Sequence, residues 1–125
     1  MDYLGDIMRK IKFRMWDSDK KRFKDCTDLF TFDIKITPES IEDGLITQYT
    51  GIKDKNGIEI YEGDIINLSE DSDLDLALVV YMDDGFKLIG ENYPGDELYP
   101  MIRDGVWGVI VGNEYENPEL LESKW

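Results

Sequence analysis

The sequence predicts a mainly β fold: a small antiparallel barrel or sandwich with an N-terminal β-hairpin and short helical turns, an SH3-like barrel being one such closure. Three observations carry this. Apolar and polar residues alternate with period two in several short segments; Gly, Asn and Asp clusters punctuate the chain between them; and apolar residues at helical spacing are scarce. The chain has 125 residues, enough for one domain with a single core and too few for two ordinary ones.

The elements follow in order. In residues 10–16, Ile11, Phe13 and Met15 fall on one face while Lys10, Lys12, Arg14 and Trp16 fall on the other, as in a half-buried strand. Asp17-Ser18-Asp19 supplies turn chemistry, and residues 20–24 return as the hairpin partner. Residues 29–36 read as the next strand, ended by Pro38, which has no N–H for a ladder; residues 38–44 form a helical turn or a loop. Residues 45–50 make a strand, Asn56-Gly57 is a hairpin turn because both residues tolerate positive φ, and residues 58–61 run back. Glu62-Gly63-Asp64 turns the chain into a strand over 65–68, with Asp64 fixing the turn through its side chain. An acidic loop covers 69–75. Residues 76–82 form a nearly continuous apolar strand, expected to be covered on both faces, and Asp83-Asp84-Gly85 turns it into a partner over 86–89. The polar stretch 90–105, with two prolines, predicts a long loop, and 106–111 is the last strand. Asn117-Pro118-Glu119 opens a short helix, with Asn at the cap and Pro at the first position.

Charge narrows the function classes. Lys and Arg number 14 against 28 Asp and Glu, for a net charge of −14, and there is no histidine. The charge is unevenly placed: residues 1–26 carry +3 and the remaining 99 residues carry −17. Such a division favours neutralisation within the fold or between subunits, and it opposes general nucleic-acid or anionic-membrane binding. The lack of histidine removes Ser–His and Cys–His nucleophile pairs, imidazole metal ligands and a pH switch near neutrality. The one cysteine, Cys26, cannot close an intramolecular disulfide and fits a reducing cytoplasm. No apolar run approaches the ~20 residues of a membrane span, and the acidic start is unlike a secretory signal.

Candidate chemistry is sparse. Asp71-x-Asp73-x-Asp75 resembles the opening of a calcium loop, but Leu76 and Met82 stand where Gly and Glu are needed, so a solvated loop is expected. Glu59, Glu62 and Asp64 crowd a glycine turn around Tyr61; acid–base work there requires them to converge in a pocket, and no phosphate loop, nucleophile elbow or metal spacing accompanies them. Cys26 has Lys24 nearby and no base, so a passive thiol is expected. Trp16 shares its strand face with Lys10, Lys12 and Arg14, and a Trp in a basic row suits a subunit interface or a stacked base. These four residues are the candidate interaction surface; no catalytic, cofactor or metal residue is assigned.

Three blocks carry a family resemblance. The segments at 8–17 (Met-Arg-Lys-Ile-Lys-Phe-Arg-Met-Trp-Asp), 48–66 (with Gln48-Tyr49-Thr50-Gly51 and Tyr61-Glu62-Gly63-Asp64) and 111–121 (with Gly112-Asn113-Glu114 and Asn117-Pro118) resemble the YopX family of bacteriophage and prophage proteins. The resemblance implies a mostly β domain over 8–122, a seven-residue N-terminal extension at 1–7, a phage or prophage origin and no established activity. No site residue transfers, and the segment between Ile66 and Val106 has no clear family pattern. The functional expectation is a non-enzymatic protein of the host-cell cytoplasm, without cofactor, that self-associates as a homo-oligomer or contacts a host or phage protein. The alternative is a nucleic-acid-related accessory protein, either binding single strands through its basic strand or acting as an acidic DNA mimic on a host protein.

Overall fold

A computed structural model of the chain describes residues 12–25, 46–71 and 73–122. The strand expected at 29–36, the turn at 38–44, residues 1–7, Lys10 and Cys26 lie outside them. Over the described residues the fold is mainly β, with two antiparallel sheets, one curled into a half-barrel, and two short helices. Strands β1 (Phe13–Asp17), β2 (Arg22–Asp25), β3 (Ile46–Lys53) and β4 (Glu59–Tyr61) form one sheet in the order β2-β1-β3-β4. Strands β5 (Asp64–Asn67), β6 (Leu76–Met82), β7 (Gly85–Gly90), β8 (Tyr93–Glu97) and β9 (Val109–Asn113) form the other, in the order β8-β7-β6-β5-β9. Helix α1 (Leu98–Ile102) precedes β9 and α2 (Glu119–Glu122) follows it.

The N-terminal hairpin forms where the alternation places it. Asp17 closes it by accepting hydrogen bonds from the N–H groups of Asp19 (3.0 Å) and Lys20 (3.2 Å). In β3, Thr47 and Tyr49 are buried, but beyond Gly51 the buried residue is Ile52. The change of phase comes from an irregularity between Tyr49 and Lys53, at which Gly51 takes φ +94°. An extra residue in one strand of a pair bends the strand and swaps its faces, and glycine meets that backbone demand without strain.

The Asn-Gly turn differs in mechanism from the expectation. It is a five-residue loop, 54–58, in which only Gly57 takes positive φ (+81°). The buried side chain of Asp54, 1% exposed, organises it: one carboxylate oxygen accepts from the N–H groups of Asn56 and Ile58, both at 2.9 Å. The other oxygen accepts from Ile110 N–H of β9 at 3.0 Å. Lys55 N–H adds a bond to the Gly108 carbonyl, so the loop of one sheet caps the edge of the other.

Three expectations on the second sheet are corrected. The stretch 90–105 is not a long loop, since it holds β8 and α1. Proline argued for a loop, yet β8 is an edge strand, where a missing N–H is tolerated, and Pro100 falls within the first turn of α1. Tyr93 anchors β8 by donating its hydroxyl to Asp75, and Leu98 and Ile102 bury the helix. The last strand starts at Val109 rather than 106, because Gly108 turns the chain (φ +83°) so close to the core that a Cβ there would meet Ile66 Cγ2 at 2.9 Å. The apolar strand 76–82 is covered over its first half, with Leu76, Ala77 and Val79 buried, and emerges at Tyr81 and Met82. The core is centred on Ile60, Ile66, Val79, Leu88 and Ile102.

Replacing Asp54 by Ala removes the buried acceptor of three backbone donors. Each buried unsatisfied donor costs ~1–3 kcal/mol, so the substitution is expected to lower unfolding free energy by about 3 kcal/mol or more in urea titration. Asp54→Asn, which keeps one acceptor oxygen, is expected to lie between the two.

Candidate functional site

Arg14 projects from β1 into the space between the sheets. Its Nε donates to Thr47 Oγ1 (3.2 Å), the residue paired with it across β1 and β3. Its Nη2 donates to Asp64 Oδ1 (2.7 Å) and to the Glu62 carbonyl (3.2 Å) at the passage from β4 to β5. The guanidinium lies over the rings of Phe23 (3.6 Å) and Tyr61 (4.5 Å), a sandwich that suits its flat, weakly hydrated face. Trp16, two residues on, is 8% exposed, stacked on Tyr115 with ring centres 5.5 Å apart and set edge-on to Phe23.

The sequence-predicted residues are therefore dispersed into structural roles. Of the candidate surface, Lys10 lies outside the described residues. Lys12 pairs with Glu59 at 2.6 Å, Arg14 with Asp64, and Trp16 is buried against Tyr115. The alternation placed Lys12, Arg14 and Trp16 on one face, and that face is turned toward the body of the molecule. The three carboxylates do not converge: Glu59 holds Lys12, Glu62 accepts from Gln48 N–H (3.0 Å), and Asp64 holds Arg14 while accepting from Tyr61 N–H (2.8 Å). Asp64 thus fixes its turn through its side chain. In the acidic loop, Asp75 accepts from Asn92 and Tyr93, and no metal-holding group of carboxylates is present among the described residues.

Electrostatics follow from this crowding. Burial raises Asp64 above the usual carboxylate range against the pull of Arg14. Burial also raises Glu62, with Glu114 adding to the effect, and raises Glu114 itself. The Tyr115 hydroxyl is pushed up, first by burial and then by Glu114. Three acids share one guanidinium, and all three gain from a proton.

Beside this cluster runs a groove that sequence reasoning missed. One lobe, of about 270 Å³, is lined by Thr50 and Ile52 of β3, Lys87 of β7, Glu97 and Tyr99. The other, of about 280 Å³, is lined by Gln48, Glu62 and Tyr81, and both lobes share the hairpin residues Asp84, Gly85 and Phe86. Lys87, buried along its stem, reaches Asp84 (3.2 Å) and Glu97 (3.3 Å), whose carboxylates stand largely in solvent. No local sequence signal brings β3 beside the β6–β7 hairpin; it is a product of sheet packing.

Comparison with known proteins places the chain. The YopX protein family model matches residues 20–122. The chain belongs to the YopX family. The matched span begins after the 8–17 segment and takes in the central and closing motifs. A crystal structure of protein EF1440 from Enterococcus faecalis is similar, with a TM-score of 0.58 at 28% identity, covering 91% of this chain and 99% of that one. No functionally curated protein matches. Asp54, Asp64, Gly63 and Asn113 all fall within the YopX match, and each has a backbone or packing task.

Two outcomes test the cluster. Asp64→Ala leaves the Arg14 guanidinium buried without its carboxylate and is expected to cost about 3–5 kcal/mol in chemical denaturation, whereas Arg14→Met with Asp64→Leu restores most of it. Carboxyls raised in the folded state bind protons more readily than in the unfolded chain, so their contribution to stability is greatest at low pH and is lost as pH rises through the folded values. Melting temperature is therefore expected to rise from pH 7 toward about pH 5, and Glu62→Gln with Glu114→Gln to flatten that slope.

Proposed function

We propose that this YopX chain is a non-enzymatic protein-interaction module that self-associates, encoded by a phage or prophage and working in the host cytoplasm. The observation that carries this reading is a division of charge at the surface. Lys12 and Arg14 are held in ion pairs with the body, but Lys20, Lys21 and Arg22 remain exposed on the N-terminal hairpin. The opposite sign dominates the exposed body, as at Asp73, Asp84, Glu91, Asp96 and Glu97. A surface divided in this way favours head-to-tail contact between copies. The non-enzymatic reading draws support from Glu59, Glu62 and Asp64, each held by a structural partner, and from a chain without histidine. The single cysteine supports a reducing location, and no helix among the described residues is long and apolar enough to cross a membrane. Single-strand binding on the basic strand draws less support, because Arg14 and Trp16 are committed inside.

The salt dependence of association tests the reading. Two copies at −14 each repel over ~30 Å at 0.01 M salt, but over only ~8 Å at 0.15 M, where contact pairs persist; at 1 M the pairs too are screened. Sedimentation velocity is expected to show the largest species near 0.15 M and smaller ones at both extremes. A monomer at every salt concentration removes the proposal, and a salt-sensitive rise in fluorescence anisotropy with labelled single-stranded DNA turns it toward nucleic acid.

A further inference from the structure

The two-lobed groove between β3 and the β6–β7 hairpin has a definite chemistry. Glu62, Asp84 and Glu97 present three carboxylates against the one ammonium of Lys87, and the exposed rings of Tyr81 (55%) and Tyr99 (68%) stand one in each lobe. Carboxylates beside aromatic faces favour a long cationic side chain, and above all a guanidinium. Each lobe is smaller than a typical small-molecule site, which starts at about 300 Å³, yet roomy enough for an extended lysine or arginine.

The chain itself carries a matching surface. Lys21 and Arg22 are exposed at the β1–β2 turn, whose shape Asp17 fixes through the N–H groups of Asp19 and Lys20. That turn cannot reach the groove of its own chain. The pairing of Phe13 with Gln48 and of Met15 with Ile46 sends β1 toward its turn past the Ile46 end of β3, away from Thr50 and Ile52. At ~3.3 Å per residue, Asp17 lies roughly 13 Å from Gln48 and roughly 20 Å from Thr50 along the strand direction, and β2 stands one strand farther from β3 than β1 does. Resting on the self-association reading, we propose that the groove receives the cationic turn of a second copy, with Lys21 and Arg22 seated among Asp84, Glu97, Tyr81 and Tyr99. The contact is heterologous: each copy offers its turn to one neighbour and its groove to another, so assembly closes as a ring or grows as a filament.

Two double variants, both at exposed positions, separate the partners. Lys21→Glu with Arg22→Glu alters only the turn; Tyr81→Lys with Tyr99→Lys alters the groove, giving up the edge-to-face contact of Tyr81 with Phe86, and leaves the Lys87 ion pairs in place. At about 0.15 M salt each variant alone is expected to associate at least about tenfold more weakly than the unaltered chain while still melting cooperatively, and an equimolar mixture regains association because each supplies the surface the other lacks. Zero-length carbodiimide coupling of mixed heavy- and light-isotope unaltered chains gives a readout without substitution, with intermolecular Lys21–Glu97 or Lys21–Asp84 links expected. If the unaltered chain associates while either variant does so equally well, or if those links form only within a chain, this docking is wrong and self-association stands on another surface. If the unaltered chain is monomeric throughout, both ideas fall.

Discussion

Two sheets that are separate hydrogen-bonded units need something besides strand pairing to fix their relation, and apolar burial alone is indifferent to direction. In this YopX chain two buried aspartates give that direction. Asp54 gathers three backbone donors, two from its own loop and one from β9, and Asp64 gathers the Arg14 guanidinium of β1 together with the Tyr61 N–H. Each reaches from one sheet into the other. Carboxylates are expensive to bury, and Asp64 shows this in its raised affinity for a proton; they are tolerated because their lone pairs are filled by donors held in place. No buried side-chain nitrogen or oxygen is left without a partner among the described residues.

This arrangement divides the basic N-terminal segment into two populations. Lys12 and Arg14 neutralise Glu59 and Asp64 and help to assemble the fold, whereas Lys20, Lys21 and Arg22 stay outside it. Charge asymmetry in a sequence is thus two quantities superposed: a part consumed in folding and a remainder available for contact. Aromatic rings decide which cations are consumed. Phe23 and Tyr61 offer Arg14 a slot, and the Trp16–Tyr115 stack closes one side of it.

The strands were legible where period-two alternation met a turn signal, as in β1, β3, β5 and the β6–β7 hairpin. Alternation says which residues share a face, however, and not which face is inward. Arg14 and Trp16 read as an exposed cationic row because the rings that enclose them come from Phe23, Tyr61 and Tyr115, far apart in sequence. Strand β8 was hidden by Pro94, whose meaning depends on being at an edge, a property of the sheet and not of the segment. Asn56-Gly57 marked the right place for a turn, while the agent of the turn was Asp54, whose third bond goes to a strand more than fifty residues away. The groove had no sequence signature at all, since its walls come from β3, the turn after β4, the β6–β7 hairpin and the junction of β8 with α1, which meet only when one sheet packs on the other.

Gly51 gives β3 a change of parity. Before it, odd-numbered residues Thr47 and Tyr49 lie inward and Gln48 looks into the groove; after it, even-numbered Ile52 is the buried one. A substitution elsewhere on the strand has local effects. A strand drawn straight through this point with every residue kept would exchange the inward and outward sets of everything that follows up to the Asp54 loop, sending Lys53 toward the core and Ile52 toward water. The strand is therefore tolerant of spelling and intolerant of frame, and the backbone break at this point is as much a part of the molecule's specification as the identity of any side chain in its core.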